Sequence, residues 1–250
     1  MKKYLLTVVV LAGLLSCVQA FADNGQRVTE RRNVSHFERI KLMGSPTIKY
    51  AQGSQTSVEV RAPKSIIKNV ETRVEGNQLV VSIKNPKWSF NFGSKENQVV
   101  VYVTSPDLIG LELLGSGDFE CKGHLDTDQL RLLLKGSGDI EFKDVVCDKL
   151  SVSVIGSGDL DVDKVVAIQS DIELVGSGDI KVGEQRVKQT KVELKGSGDV
   201  KLSLVNCGTV DCRLLGSGDI TLQGDAVQLS SYARGSGDIH SNGLKLKKRP

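Results

Sequence analysis

The chain has 250 residues, of which 39% are hydrophobic and 25% charged, and its formal charge is +3. That is an ordinary soluble composition. Two of the positive charges, Lys2 and Lys3, lie in a segment expected to be removed, so the remainder is close to neutral. A nucleic-acid binder, which needs a concentrated basic field, is therefore excluded.

The first residues read as an export signal. Lys2 and Lys3 form a positive start, and Tyr4 to Leu15 is an apolar run too short to span a bilayer comfortably. Two processing routes compete. Ala20-Phe21-Ala22 fits ordinary signal peptidase, with residues 1–22 removed, and Leu14-Leu15-Ser16-Cys17 resembles a lipobox with Cys17 as the lipidated residue. Ordinary secretion is favoured, because Leu15 is unusual at its lipobox position and an apolar stretch follows Cys17. No later run is apolar for long enough to cross a membrane, so the expected location is periplasm, outer membrane or cell surface.

Residues 23–110 form the next unit, an irregular β region. Phe37 to Leu42 alternates, Gly44-Ser45 looks like a decayed corner, and further strands are expected at Thr47–Tyr50, Ser57–Arg61, Gln78–Ile83 and Gln98–Val103. Gly76-Asn77 marks a turn, and Ile66 to Arg73 a short turn at most. Trp88, Phe90 and Phe92 alternate in a segment that reads as a protruding hairpin. They suit either an interaction patch or a hydrophobic lid over the end of the stack.

Residues 111–243 decide the fold. Gly-Ser-Gly-Asp begins at Gly115, Gly136, Gly156, Gly176, Gly196, Gly216 and Gly235, with gaps of 21, 20, 20, 20, 20 and 19 residues. After each word comes an apolar–polar–apolar strand, as in Ile140-Glu141-Phe142 or Ile180-Lys181-Val182. Like residues fall in the same column, which stacking of parallel coils explains and a meander of hairpins does not. The fold expected is an all-β, right-handed parallel β-solenoid of about seven 20-residue coils with an irregular β N-terminal cap. Coils about 4.8 Å apart make a rod of roughly 30 Å. The glycines of each corner supply positive φ and allow close stacking; Gly178 is expected to be one such residue. Residues 244–250 are a basic tail that blunts the far end.

This sequence resembles the "putative auto-transporter adhesin, head GIN domain" family. The likeness lies in Arg32-Asn33-Val34-Ser35-His36-Phe37-Glu38-Arg39-Ile40, in Gln52-Gly53 followed by Val58-Glu59-Val60, and in the serial Gly-Ser-Gly-Asp corners. It covers nearly the whole mature chain. The resemblance implies an exported β-solenoid of the bacterial envelope and carries no catalytic motif with it.

Four cysteines remain after processing. Cys121, Cys147, Cys207 and Cys212 all occupy inward columns beside Val, Ile and Phe, so buried free thiols are expected rather than disulfides; Cys147 and Cys207 share a column with Val187 and Val227. A column of aspartates follows the corners, running from Asp118 through Asp139, Asp159, Asp179, Asp199 and Asp219 to Asp238. Backbone N–H and serine hydroxyl groups satisfying the carboxylates are the favoured reading, and a Ca²⁺ column on Asp139 to Asp219 the weaker one. The acids recur once per coil, which marks architecture rather than an enzyme acting on polysaccharide. His36, His124 and His240 lack metal-ligand spacing. No catalytic residue and no cofactor is expected. The residue before each corner forms a semi-apolar stripe, Leu114, Ile155, Val175 and Leu215, interrupted by Lys135, Lys195 and Arg234, suited to self-association if it faces outward. The expected function is a non-enzymatic envelope or surface protein that binds a surface glycan, a protein or itself. A periplasmic structural or stress-related scaffold is the alternative.

Overall fold

The computed structural model describes residues 27–84 and 98–247. Cys17 and the processing sites, and Trp88, Phe90 and Phe92, lie outside the described residues. The strands in chain order are β1 (Arg27–Arg32), β2 (Arg39–Gly44), β3 (Thr47–Gln52), β4 (Ser57–Pro63), β5 (Val70–Glu75), β6 (Gln78–Ile83), β7 (Val100–Ser105), β8 (Gly110–Gly115), β9 (Asp118–Asp126) and β10 (Gln129–Gly136). They continue with β11 (Ile140–Val146), β12 (Lys149–Gly156), β13 (Leu160–Val166), β14 (Gln169–Gly176), β15 (Asp179–Gln185), β16 (Gln189–Gly196), β17 (Asp199–Gly216), β18 (Ile220–Gly235) and β19 (Ile239–Leu246). One 3₁₀ turn, Ile67–Asn69, is the only helical element among the described residues.

Two parallel ladders run the length of the stack. The first joins β8, β10, β12, β14, β16 and the second halves of β17 and β18. The second joins β9, β11, β13, β15, the first halves of β17 and β18, and β19. The first glycine of every corner pairs with its counterpart one coil away, so the repeat in sequence is a repeat in space. The molecule is a parallel β-solenoid, as the alternation requires. Inward residues form continuous ladders: Ile140, Leu160, Ile180, Val200 and Ile220 are all fully buried. Phe119 and Phe142 pack with ring centroids 5.2 Å apart, and Tyr50 stacks on Phe119 at 6.0 Å.

The corner divides its labour between two glycines. The first carries the left-handed backbone, with φ of 138° at Gly176. Its carbonyl accepts the amides of Ser197 at 2.8 Å and Gly198 at 3.2 Å from the next coil. The second glycine is not at a left-handed φ, which corrects the expectation for Gly178. It is required by close approach: a Cβ on Gly178 would sit 2.0 Å from the Gly158 carbonyl oxygen.

The N-terminal region is more regular than its sequence suggests. Gly44 is a true corner, with φ 96° and a carbonyl that accepts Ser116 N at 3.0 Å and Gly117 N at 2.8 Å. β2 and β3 lie parallel on β8 and β9, and β6 and β7 lie parallel on β2 and β3. The chain thus lays down one rung, adds a second outside it, and returns to continue on the inner side. Antiparallel strands finish this end: β5 pairs β6, β4 pairs β7, and β1 pairs β4. Reversing direction there breaks the parallel edge that another chain could extend.

At the far end, inward positions turn polar or small. Ser231 pairs with Cys212 and Ala233 with Leu214, so these columns end on small or polar side chains, although Tyr232 and Leu246 stay exposed. One column differs from expectation: Cys207 pairs with Ala226, not Val227, because the β17–β18 register shifts after Leu204. β19 continues to Leu246, and Lys247 donates its amide to the Ala226 carbonyl and its ammonium to Asp225 at 2.9 Å.

Candidate functional site

The aspartate column binds the coils to one another. The Oδ1 of Asp159 accepts the amide of Asp179 at 2.8 Å, Asp179 Oδ1 that of Asp199 at 3.1 Å, and Asp199 Oδ1 that of Asp219 at 3.1 Å. Asp219 Oδ1 accepts the amide of Asp238 at 2.9 Å, and this bond, with help from His240, holds the Asp219 carboxyl below its usual range. Each carboxylate therefore closes a link with the next coil. Asp118 differs: burial pushes its carboxyl upward, against a hydrogen bond from Thr47 Oγ1.

This geometry makes a test of architecture against ion binding. Asp179→Asn keeps the Oδ1 acceptor and removes one charge between like neighbours, so the melting temperature should stay close to that of the parent. Asp179→Ala leaves the Asp199 amide without its partner and should cost about 1–2 kcal/mol. Excess Ca²⁺ should not raise the melting point; a rise abolished by Asp179→Asn would identify a cation column.

The four cysteines are free and buried. Loss of solvation raises the Cys121 and Cys207 thiols to about 11 and those of Cys147 and Cys212 to about 12. Thiolate attack is thereby suppressed. Labelling of the native protein should be slow and should reach these four thiols in denaturant without reductant; a requirement for reductant would contradict the register.

One buried group escaped the sequence reading. Glu184 on β15 takes an inward place between Val165 of β13 and Leu204 of β17, and it is fully buried. Its Oε2 accepts the hydroxyl of Thr190. Ser170 faces the same carboxyl and opposes the rise, although its hydroxyl and Glu184 Oε1 are not at full hydrogen-bonding geometry. Burial dominates and lifts the carboxyl to about 7. The alternation Ile180–Val182–Glu184 already placed this glutamate inside.

The three histidines stand apart, each beside a carboxylate: His36 with Glu38 at 3.4 Å, His124 with Asp144 at 2.8 Å and His240 with Asp219 at 3.5 Å. Among the described residues no three His, Cys, Asp or Glu side chains converge on a point that could hold a metal. The residues before the corners do face outward. Ile155 is 39% exposed, and Met43, which pairs with Leu114, extends the stripe at 40%.

Next to that stripe, on the outer face of the β8–β18 ladder, the surface dips into a concavity of 490 Å³. Its floor is β12, where Ser151 and Ser153 put two small side chains outward in succession. Arg131 and Leu133 of β10 form one wall, and Asp171 and Glu173 of β14 the other, in register with the two serines. It is not legible in the columns of like residues, because it depends on outward volumes compared between neighbouring coils. A second depression continues the face towards Tyr232, over which the Arg213 guanidinium lies at 5.7 Å.

Solved structures share this architecture. A Bacteroides fragilis protein described as a "putative adhesin" superposes with a TM-score of 0.77 at 27% identity, over 86% of this chain and 96% of its own. A Parabacteroides distasonis "putative lipid binding protein" gives 0.70 at 24% identity, covering 90% and 98%. A "putative adhesin" from the same species gives 0.69 at 18%, covering 87% and 97%. The last two likenesses are of fold alone. No curated protein matches the sequence. A family profile matches twice, over residues 36–202 and 163–249. The chain belongs to the family described as "Putative auto-transporter adhesin, head GIN domain".

Proposed function

We propose that the protein is a non-enzymatic, exported module of the bacterial envelope or surface that binds another macromolecule through the outer face of the β8–β18 ladder. Its family and the Bacteroides fragilis relative support an adhesin-like role. The observation that carries the reading is where the repeat breaks. The corner acids recur in every coil and are occupied in linking coils. The dip floored by Ser151 and Ser153 lies away from the corners and leaves polar groups facing solvent. A rigid β-scaffold with local depressions on one outer face is suited to recognition. No helix among the described residues is long and apolar enough to cross a membrane. Export rests on the N-terminal signal, with cleavage after Ala22.

The test pairs exposure with binding. Protease treatment of intact cells should release fragments of the protein, and the purified mature chain should retain partners from a panel of glycans and matrix proteins. A chain protected in intact cells and silent on the panel is the periplasmic scaffold instead.

A further inference from the structure

The depression on β12 has a chemistry that narrows its ligand. The Arg131 side chain makes no ion pair or hydrogen bond among the described residues, and its place in the column explains why. It pairs with Gly110 on one side, which has no side chain, and with Ser151 on the other. Arg131 is exposed and has no opposite charge in line with it in either adjacent coil.

The facing wall is different. Asp171 is held by Lys149 at 3.0 Å and Gln169 at 2.9 Å, both through Oδ2. Glu173 is held by Lys195 through Oε1 at 3.2 Å. These contacts offset the negative charge and leave Asp171 Oδ1 and Glu173 Oε2 as acceptors. The floor adds the hydroxyls of Ser151 and Ser153, and Leu133 adds a small apolar surface beside Arg131. From Arg131 to Asp171 is two coil steps, or about 10 Å.

We infer that this notch binds a carboxylated sugar within an acidic polysaccharide, with the carboxylate on Arg131 and ring hydroxyls donating to Ser151, Ser153, Asp171 and Glu173. A planar guanidinium matches a carboxylate bidentately. Lys191 and Glu193 complete the lining; beside these charges, the two serine hydroxyls and the free oxygens of Asp171 and Glu173 suit a ligand rich in O–H groups, which a sugar is and an acidic peptide is not. The C–H face of a pyranose ring fits against Leu133. With β10 and β14 as its walls, the notch runs along β12, and the polymer follows it in the strand direction. This inference rests on the binding-module reading and names its ligand class.

The experiment measures binding of the purified mature chain to short oligomers of galacturonate, glucuronate and mannuronate, and to neutral oligomers of matched length. At least one uronate should bind, with affinity falling as salt rises. Arg131→Ala should weaken that binding by about tenfold or more, and Ser153→Tyr should abolish it by filling the floor. Both variants should melt as the parent does, since both positions face outward. Equal binding of acidic and neutral oligomers, no binding of any uronate, or an Arg131→Ala variant that binds undiminished would overturn the proposal. Preference for a poly-glutamate peptide would also overturn it. If uronates fail while the chain still holds matrix proteins, the ligand assignment falls and the binding module stands.

Discussion

Gly178→Ala should destabilise the protein by about 3 kcal/mol or more, although it adds a single methyl group. The second glycine of the corner needs no unusual φ, so backbone strain is not the cause. The new Cβ would lie 2.0 Å from the Gly158 carbonyl oxygen and 3.0 Å from the carbonyl carbon. Both are backbone atoms of the adjacent coil and cannot rotate away. Gly158 in turn sits over Gly138, so a shift at one corner must be passed along the stack or absorbed by parting two coils. For a chain of this size the expected fall in melting temperature is about 10 °C. An exposed control, Ser177→Ala, should change it little. Equal melting of parent and Gly178→Ala would mean that the corners are not packed backbone on backbone.

Glu184→Gln should make the protein more stable at pH 8 and have little effect at pH 4.5. The carboxyl has a folded pKa of about 7 against an ordinary value of 4.5, so the folded state holds its proton more tightly than the unfolded chain. That contribution is fully present below pH 4.5 and is lost as pH rises towards and through 7. The loss amounts to about 3 kcal/mol. Thr190 is its hydrogen-bond donor, and the titratable groups that sense its charge are Cys207 and Cys212, both thiols raised well above neutrality. Neither supplies a counter-charge. Surface carboxyls such as Asp144 and Asp225 are shifted down by their lysines and act with the opposite sign. The difference between variant and parent across the pH range is therefore the informative quantity. A difference that does not grow between pH 5 and 8 would show that burial does not raise the Glu184 carboxyl above its value in the unfolded chain.

The coils were legible because stacking forces like residues into columns. Ile140, Leu160, Ile180, Val200 and Ile220 share a side chain class and a position for one reason, the ladder they build. The inward cysteines were legible on the same ground. Register shifts limited that reading, as at Ala226, because one inserted residue moves a column without changing composition. The path through β2, β3, β6 and β7 was hidden for a different reason. Strand order in a parallel stack follows from pairing, and nothing local in Arg39–Gly44 records that β6 and β8 lie on either side of it. The notch on β12 depends on a comparison of outward volumes between three neighbouring coils. Two serines in an alternating strand look unremarkable until Arg131 and Asp171 are known to flank them.

Filling that notch tests the account most directly. Ser153→Trp and, on the opposite ladder, Lys181→Trp each place an indole outward on the same scaffold. The purified variants can be compared with the parent in melting temperature and in attachment to immobilised bacterial or host-surface polymers. The account predicts three similar melting curves, with attachment lost only in Ser153→Trp. Attachment retained by Ser153→Trp, or lost equally in both variants, would contradict a binding site on the β8–β18 face.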